Sequence, residues 1–322
     1  SDVLTGDIHR VRARCVVNAT GVWVDDLRAK ACRVGQDPLP ERMVSPSQGV
    51  HVVVDREFLP SDHALMVPKT ADGRVLFAVP WLGKLILGTT DSPRQDIVRE
   101  PEPFREEVRF ILEESARYLT RAPKAEDIRS IWVGLRPLVA PPSTAEGGTK
   151  VLSREHTIVV DGNGLVTVTG GKWTTYRAMA EDVLARCFAG GLLPARAGGL
   201  SEHHTLVGAT DASTPTTPLH QAPGPHMYGA QAPQVARCPG GARDLGLGLT
   251  EAMVRHAVRC EHAHTVEDVL ARRWRALFLD ARRAAAMAPA VAEILEDERC
   301  AAPALDRFEA LCAHYLPPAT HL

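Results

Sequence analysis

The hydrophobic rhythm of the chain changes several times, and each change marks an element. Arg14 to Asn18 is a short apolar run ending in Ala19-Thr20-Gly21. It predicts a buried strand followed by a tight turn. Val24 to Ala31 is long enough for a short helix. Around Val50 the period drops to two, with Val50, Val52 and Val54 alternating with His51 and Val53. Val75 to Val79 and Leu85 to Leu87 follow, separated by turn residues at Asp72-Gly73 and Gly83-Lys84. Closely spaced strands with short turns predict an antiparallel sheet.

Pro101 to Leu119 reads as a helix. Phe104, Val108, Ile111, Leu112 and Leu119 recur at helical spacing, and Glu106, Glu107, Glu113 and Glu114 take the other face. Strands are expected at Ile128 to Leu135 and at Thr157 to Val160. Asp161-Gly162-Asn163-Gly164 then makes a hairpin-type turn into Leu165 to Thr169. Gly170-Gly171 separates that strand from a helix expected over Thr174 to Ala189, with Gly190-Gly191 as its stop. The apolar stripe of this helix is Tyr176, Met179, Ala180, Val183, Leu184, Cys187 and Phe188. From Ala195 to Gly248 glycine, proline, threonine and histidine dominate and periodicity fades, as in a linker. Helical spacing returns over Thr250 to His262. A further helix carries Val266, Val269, Leu270, Trp274, Leu277 and Phe278, with Thr265 as N-cap and Asp268 at the box position. Two last helices, near Pro289 to Glu296 and Pro303 to His314, are expected to open on their prolines.

Composition narrows the function classes. With 322 residues, 45% hydrophobic and 24% charged, the chain can bury one large or two ordinary cores. The 37 basic and 39 acidic residues leave a net charge of -2, which excludes the basic excess of a nucleic-acid binder. Seven scattered cysteines without a CxxC pair exclude a disulfide framework and a zinc ribbon, and point to reduced thiols in a cytosolic protein. No apolar run reaches the roughly 20 residues of a membrane helix. The best candidate, Val75 to Gly88, is broken by Pro80, Gly83 and Lys84. The chain opens at Ser1 with strand-like text and no signal peptide, so an upstream portion is expected.

Three places could carry chemistry. Val166 to Arg177 leads a strand through Gly170-Gly171 into a helix start beside Lys172. Glycines admit a ligand close to the backbone, and a helix start offers unpaired N–H groups and partial positive charge. Such a turn suits a phosphate or the electron-rich edge of a reduced flavin; an ordinary strand-to-helix turn reads the same way. Arg136 follows a strand and precedes Pro137, where it could hold a phosphate or a developing alkoxide, or form a surface ion pair. His51 lies among valines after Gln48-Gly49, as a general base or as a structural histidine. His256 and Cys260, four apart, make a weak metal face, and no metal site is expected. The basic run Arg272, Arg273, Arg275, Arg282 and Arg283, with Trp274 and Phe278, reads as a packed helix with a solvated face more readily than as a membrane surface. There is no GxGxxG; Gly162 and Gly164 belong to a hairpin turn.

In order along the chain, VVNATGVWVDDL (Val16 to Leu27), SQGVHVVV (Ser47 to Val54), VPWLGKLILGTTD (Val79 to Asp91), VGLRPL (Val133 to Leu138), SREHTI (Ser153 to Ile158) and VTGGKWTTYR (Val168 to Arg177) resemble the FAD-dependent glycerol-3-phosphate dehydrogenases of the D-amino-acid-oxidase-like superfamily. VEDVLARRWRALFLDARRA (Val266 to Ala284) is similar to the family's helical carboxy-terminal cap. The family's opening GxGxxG segment is not matched, so the chain resembles the later half to two-thirds of the enzyme.

The resemblance implies an α/β (α+β) fold in five segments. These are 1–35 as the end of a Rossmann-like FAD-binding domain and 36–127 as an antiparallel-sheet substrate domain with one long helix. Residues 128–194 would return to both, 195–248 would be a linker, and 249–322 a helical cap. It further implies oxidation of sn-glycerol 3-phosphate to dihydroxyacetone phosphate, with hydride transfer to N5 of FAD and electrons passed to a quinone. His51 would take the hydroxyl proton, Arg136 would hold substrate and developing charge, and Lys172 would face the reduced flavin. Arg154 would add to phosphate binding. Thr20, Gly21, Trp23, Gly170, Gly171, Lys172, Trp173 and Thr174 would line FAD. A cytoplasmic protein, peripheral on the inner face of the cell membrane and compatible with a homodimer, fits the resemblance. The alternatives are an oxygen-using glycerol-3-phosphate oxidase, an amine or amino-acid oxidase, and a non-catalytic fragment or binding module.

Overall fold

The computed structural model describes residues 1–32, 40–70, 73–139, 155–211, 213–300 and 302–317. Arg154 with Ser153, Asp72 of the predicted turn, and the expected boundary at 35/36 lie outside the described residues. In chain order the strands and helices are β1 (Val16–Asn18), α1 (Val24–Ala31), β2 (Val44–Asp55), β3 (Leu65–Val67), β4 (Leu76–Trp81), β5 (Lys84–Gly88), β6 (Ser92–Pro93), α2 (Arg105–Ser115), β7 (Ser130–Val139), β8 (His156–Val160), β9 (Leu165–Gly170), α3 (Tyr176–Ala189), α4 (Ala232–Val235), β10 (Asp244–Gly246), β11 (Leu249–Thr250), α5 (Glu251–Glu261), α6 (Ala276–Leu279), α7 (Ala281–Asp297) and α8 (Leu305–His314). The expected α/β fold, with an antiparallel sheet and a helical carboxy-terminal part, is what these elements form. The five expected segments are distributed over two compact units.

The first unit holds Ser1–Gly49, Asp91–Pro101 and Gly134–His204. Its three-stranded sheet runs β1-β9-β8, with β1 parallel to β9 and β8 antiparallel to it. The 161–164 turn joins β8 to β9 as predicted. Gly164 donates to Asp161 O at 2.8 Å, and its φ of +83° calls for glycine. Arg28 of α1 forks onto the Asp161 carboxylate at 2.8 and 3.1 Å, which fixes the helix against that turn. The core is thin: Val166, Val168, Val183 and Cys187, with Cys15, Ile158 and Met179 packed on it.

Two expectations change here. β1 was expected to be buried, yet Val16 and Val17 are exposed, because β1 stands at the edge of the sheet among the described residues and only Asn18 is enclosed. In α3 the buried line is Val183 and Cys187, with Met179 half-buried, at four-residue spacing. Tyr176, Ala180 and Leu184, one position round the helix, stay exposed. The apolar stripe is therefore wider than the surface this sheet offers it.

The second unit holds Val50–Thr90, Glu102–Val133 and Thr205–Leu322. Strands β3-β4-β5-β2 form an antiparallel sheet with a tight β4–β5 hairpin at Leu82-Gly83. Val50, Val52, Val54, Leu85, Leu87, Phe58 and Ile111 make its core. Helix α2 is shorter than its apolar pattern. Phe104 is extended, and its N–H donates to Glu107 Oε2 at 3.1 Å, so the helix starts after Pro103.

The helical module packs around Trp274, Leu270, Leu277, Val291 and Phe308. Thr265 and Asp268 make the predicted reciprocal cap, and a π-helical turn, Asp268–Arg273, follows. Pro289 does not open a helix. It lies inside α7, which starts eight residues earlier, where the Asp280 side chain accepts from Arg283 N at 3.0 Å. The lost backbone bond costs about 3 kcal/mol, and the unbroken buried line of Ala284, Ala288, Val291 and Leu295 offsets it. The stretch expected to be irregular through 248 carries a 3-10 segment, Pro225–Gln231, then α4 and β10. Short proline-bounded turns of this kind leave no periodic signal. Two polar links tie sheet and helices together within this unit: Ser130 Oγ donates to the Leu277 carbonyl at 2.8 Å, and the Lys84 ammonium bridges the Asp55 and Asp280 carboxylates at 2.7 and 3.5 Å.

Candidate active site

Parallel pairing of β1 with β9, Asn18 opposite Thr167, puts the ends of both strands on one edge of the first unit's sheet. Two turns leave that edge. The first follows β1, where Asn18, fully buried, donates to Val24 O at 2.9 Å and accepts from Thr20 Oγ1 at 2.7 Å. Gly21 follows at φ +63°, and Trp23 is partly exposed beyond it. The second follows β9 at Gly170-Gly171, both at φ +77°. A Cβ on Gly170 would stand 2.6 Å from Glu155 O, and one on Gly171 2.5 Å from Met179 Sδ. Conformation favours glycine at both, and at Gly170 the Glu155 backbone leaves no space for a side chain as well. The carboxyl edge of parallel strands is where α/β sheets take their ligands.

The second turn delivers an electropositive helix start. Trp173–Thr175 is one 3-10 turn continuing into α3, with no side-chain cap and no acid in its first turn. Lys172 precedes it, exposed, and pairs with no acid among the described residues. Its carbonyl accepts from Thr175 N at 3.0 Å. Trp173 is 86% exposed and stacks on Tyr176, with ring centres 5.7 Å apart. Thr174 is exposed on the same turn. The expectation of a helix from Thr174 shifts to Tyr176, because the first turn is too tight for α geometry.

Arg136 of β7 and the Gly170–Trp173 turn line one open cleft of about 700 Å³, together with Leu138, Tyr176 and Met179. The guanidinium has a fixed seat. Nη1 lies 3.4 Å from Asp91 Oδ1, and the Ser47 hydroxyl donates to the same carboxylate oxygen. Gly49 supplies the room, since a Cβ there would fall 2.2 Å from Arg136 Nη2. Sequence reasoning missed Ser47, Gly49 and Asp91 in this role. Asp91 closes the quoted GTTD string, but nothing in spacing ties it to a residue 45 positions on.

His51 belongs to the second unit. It pairs with Gly88 across β2 and β5, and a Cβ at Gly88 would sit 2.6 Å from its Cδ2. Its ring stacks on Trp132 at 4.3 Å, and Phe278 meets Trp132 edge-on at 5.8 Å. The imidazole is thus held in one orientation, which serves a structural histidine and a positioned base alike. The structure brings Arg136 together with Gly170, Gly171, Lys172 and Trp173 in the first unit.

The weaker sequence features resolve as packing. His256 is fully buried in α5, and no group of three metal-ligating side chains occurs among the described residues. In the basic run Trp274 is in the core, Phe278 is half-buried edge-on against Trp132 and Tyr315, and Arg272 pairs with Glu267 and Arg273 with Asp268. Among the described residues no helix is long and apolar enough to cross a membrane.

Two family models match the chain: FAD dependent oxidoreductase over residues 2–177, and the C-terminal domain of alpha-glycerophosphate oxidase over residues 225–301. The chain is 36% identical over 327 residues to a mitochondrial glycerol-3-phosphate dehydrogenase of Arabidopsis thaliana, covering 92% of this chain and 50% of that protein. It is 36% identical over 323 residues to the mitochondrial glycerol-3-phosphate dehydrogenase of Bos taurus, covering 92% and 42%. The chain thus spans about half the length of the curated relatives it matches. A similar fold is seen in the crystal structure of the glycerol-3-phosphate dehydrogenase from Bacillus halodurans complexed with FAD. There the TM-score is 0.73 and the identity 24%, over 98% of this chain and 65% of that one.

Proposed function

The chain belongs to the FAD-dependent oxidoreductases, and from that premise we propose that it supplies the flavin-facing and substrate-facing part of a dehydrogenase that oxidises sn-glycerol 3-phosphate to dihydroxyacetone phosphate. The observation that carries this reading is that Arg136 and Lys172 line one cleft beside a glycine turn at positive φ, with no room for a side chain at Gly170. The names of the relatives and the match of the helical module to an alpha-glycerophosphate oxidase domain support the choice of substrate.

FAD, when bound, supplies the two-electron acceptor. The chain's own residues do the rest. Gly170 and Gly171 let a planar ring approach the backbone, and the helix start with Lys172 favours negative charge at that place. Thr20, Gly21 and Trp23, on the same sheet edge, are the second surface offered to the cofactor. Arg136 holds an anionic group in a fork whose orientation Asp91 and Ser47 set, and stabilises negative charge developing on the substrate oxygen. His51 is assigned the hydroxyl proton, a role that suits an imidazole held by stacking on Trp132. Arg154 is assigned a share of the phosphate. The dehydrogenase resemblance of the sequence favours a quinone as acceptor, taken up at a membrane surface; the oxidase name of the matched domain favours oxygen. Reoxidation of the reduced enzyme by a quinone analogue against oxygen, followed by stopped flow, separates the two.

The chain is assayed with FAD alone, and joined to the amino-terminal half of a relative, for oxidation of glycerol 3-phosphate with a dye acceptor. Arg136→Ala is expected to lower kcat/KM by about 100- to 1,000-fold and to erase the preference for glycerol 3-phosphate over glycerol. Unchanged turnover and unchanged KM in that variant would remove Arg136, and the cleft with it, from the reaction.

A further inference from the structure

Two thiols that the flavin chemistry leaves unused meet in the core of the first unit. Cys15 Sγ and Cys187 Sγ lie 3.8 Å apart, although 172 positions separate them in the chain. Cys15 directly precedes β1, half-buried; Cys187 sits in the last turn of α3 and is fully enclosed. Both belong to the small cluster of Val166, Val168 and Val183. A disulfide needs about 2.05 Å between sulfurs, with Cα atoms usually 4.4–6.8 Å apart. Rotation about χ1 between staggered positions moves a cysteine sulfur by more than the difference between 3.8 Å and that bond length.

We propose that Cys15 and Cys187 form a reversible redox-modification site that closes a disulfide between β1 and α3 when the chain meets a hydroperoxide. The Cys15 thiolate, on the accessible side, attacks the peroxide oxygen. The O–O bond breaks, one water leaves, and Cys15 becomes a sulfenic acid. Cys187 sulfur then attacks Cys15 sulfur, its proton joins the departing hydroxyl, and a second water leaves. Two thiols and one hydroperoxide give one disulfide and two waters, or one water and one alcohol for an alkyl hydroperoxide. Burial first, and then the neighbouring Cys15 thiol, push the Cys187 thiol up, which suits it to the second, resolving step and not to the first attack on peroxide. A dithiol restores both. The bond would pin the exposed edge strand of a thinly packed unit to the helix whose start lines the Arg136 cleft.

The test exposes the purified chain to stoichiometric hydrogen peroxide, quenches it with an alkylating agent and maps peptides by mass spectrometry. The expected product is a Cys15–Cys187 cross-linked peptide, two hydrogens lighter than the sum of its parts, with titratable thiols falling from seven to about five in denaturant. Dithiothreitol should return them, and the oxidised chain should melt at a higher temperature than the reduced one. Cys15→Ser and, separately, Cys187→Ala should abolish the cross-link; Cys238→Ser should keep it. Should a variant fail to fold, the wild-type peptide map decides alone. Oxidation of Cys15 to sulfinic acid with Cys187 still alkylatable, or thiol loss confined to the exposed Cys260, would overturn the proposal.

Discussion

The two units solve the packing problem differently. The second unit surrounds Trp274, Leu277, Ile294 and Phe308 with helices on several sides and adds a sheet core around Val52 and Leu87. Its surface charges are organised as well: Arg255 reaches Glu251, Asp297 and Glu298 at 2.6, 3.1 and 2.7 Å. The first unit has a short core under one sheet and leaves Val16, Val17, Trp173, Tyr176 and Leu184 in solvent. Yet the first unit carries the glycine turn, Lys172 and Arg136. A unit with a sparse core can still place a site when its backbone is fixed locally by glycines and by carboxylate–arginine forks. Stability and site-building are separable in this chain, and amide hydrogen exchange should show it, with slower exchange in α7 than in α3.

The sharpest way to break that comparison is Trp274→Ala. It removes a ring that is 1% exposed, whose Nε1–H donates to Leu247 O at 2.9 Å. The expected loss is about 3–5 kcal/mol of unfolding free energy, measured by urea titration, with protection in α7 falling and protection in β9 unchanged. Arg136→Ala should cost the reaction about 3–4 kcal/mol of transition-state stabilisation while leaving the melting temperature within a degree or two; a large drop in melting temperature would make Arg136 structural. Gly170→Ala, at φ +77° and against Glu155 O, should cost about 1–3 kcal/mol and lower protection in α3 before it touches α7.

The smallest effect is acidic. Arg259 and then Arg255 hold the Glu298 carboxylate below the usual glutamate range, outweighing the opposing effect of burial. A folded value below the unfolded one adds stability that is present above the unfolded value and fades as pH falls below about 4.3. The melting temperature should therefore fall more between pH 5 and pH 3 in the wild type than in Glu298→Gln. An identical slope in both would mean that the ion-pair network of the helical module contributes nothing to acid stability.

Much of the fold was legible because it rests on local rules. Valine alternation gave β2, Asp161 to Gly164 gave the hairpin, and the Thr265–Asp268 box marked a helical start that exists. Pro289 misled because proline's local penalty was outvoted by burial along α7, a sum that one residue does not display. The exposed Val16 and Val17 misled because an apolar strand reads the same at an edge and in the middle of a sheet. For the candidate site, the string from Gly170 to Trp173 announced itself, since positive φ beside a helix start has few chemical spellings. Asp91, Ser47 and Gly49 did not.

What the sequence determined by itself was the set of local geometries: which residues turn, which alternate, where glycine is obligatory and where a helix begins. Those follow from steric limits and hydrogen bonds between near neighbours. Which residues 45 or 172 positions apart come to touch, as Asp91 with Arg136 and Cys15 with Cys187, was decided by the tertiary structure alone. Such pairs depend on strand order and register, and strand order is a property of how the whole chain closes, not of any stretch of it.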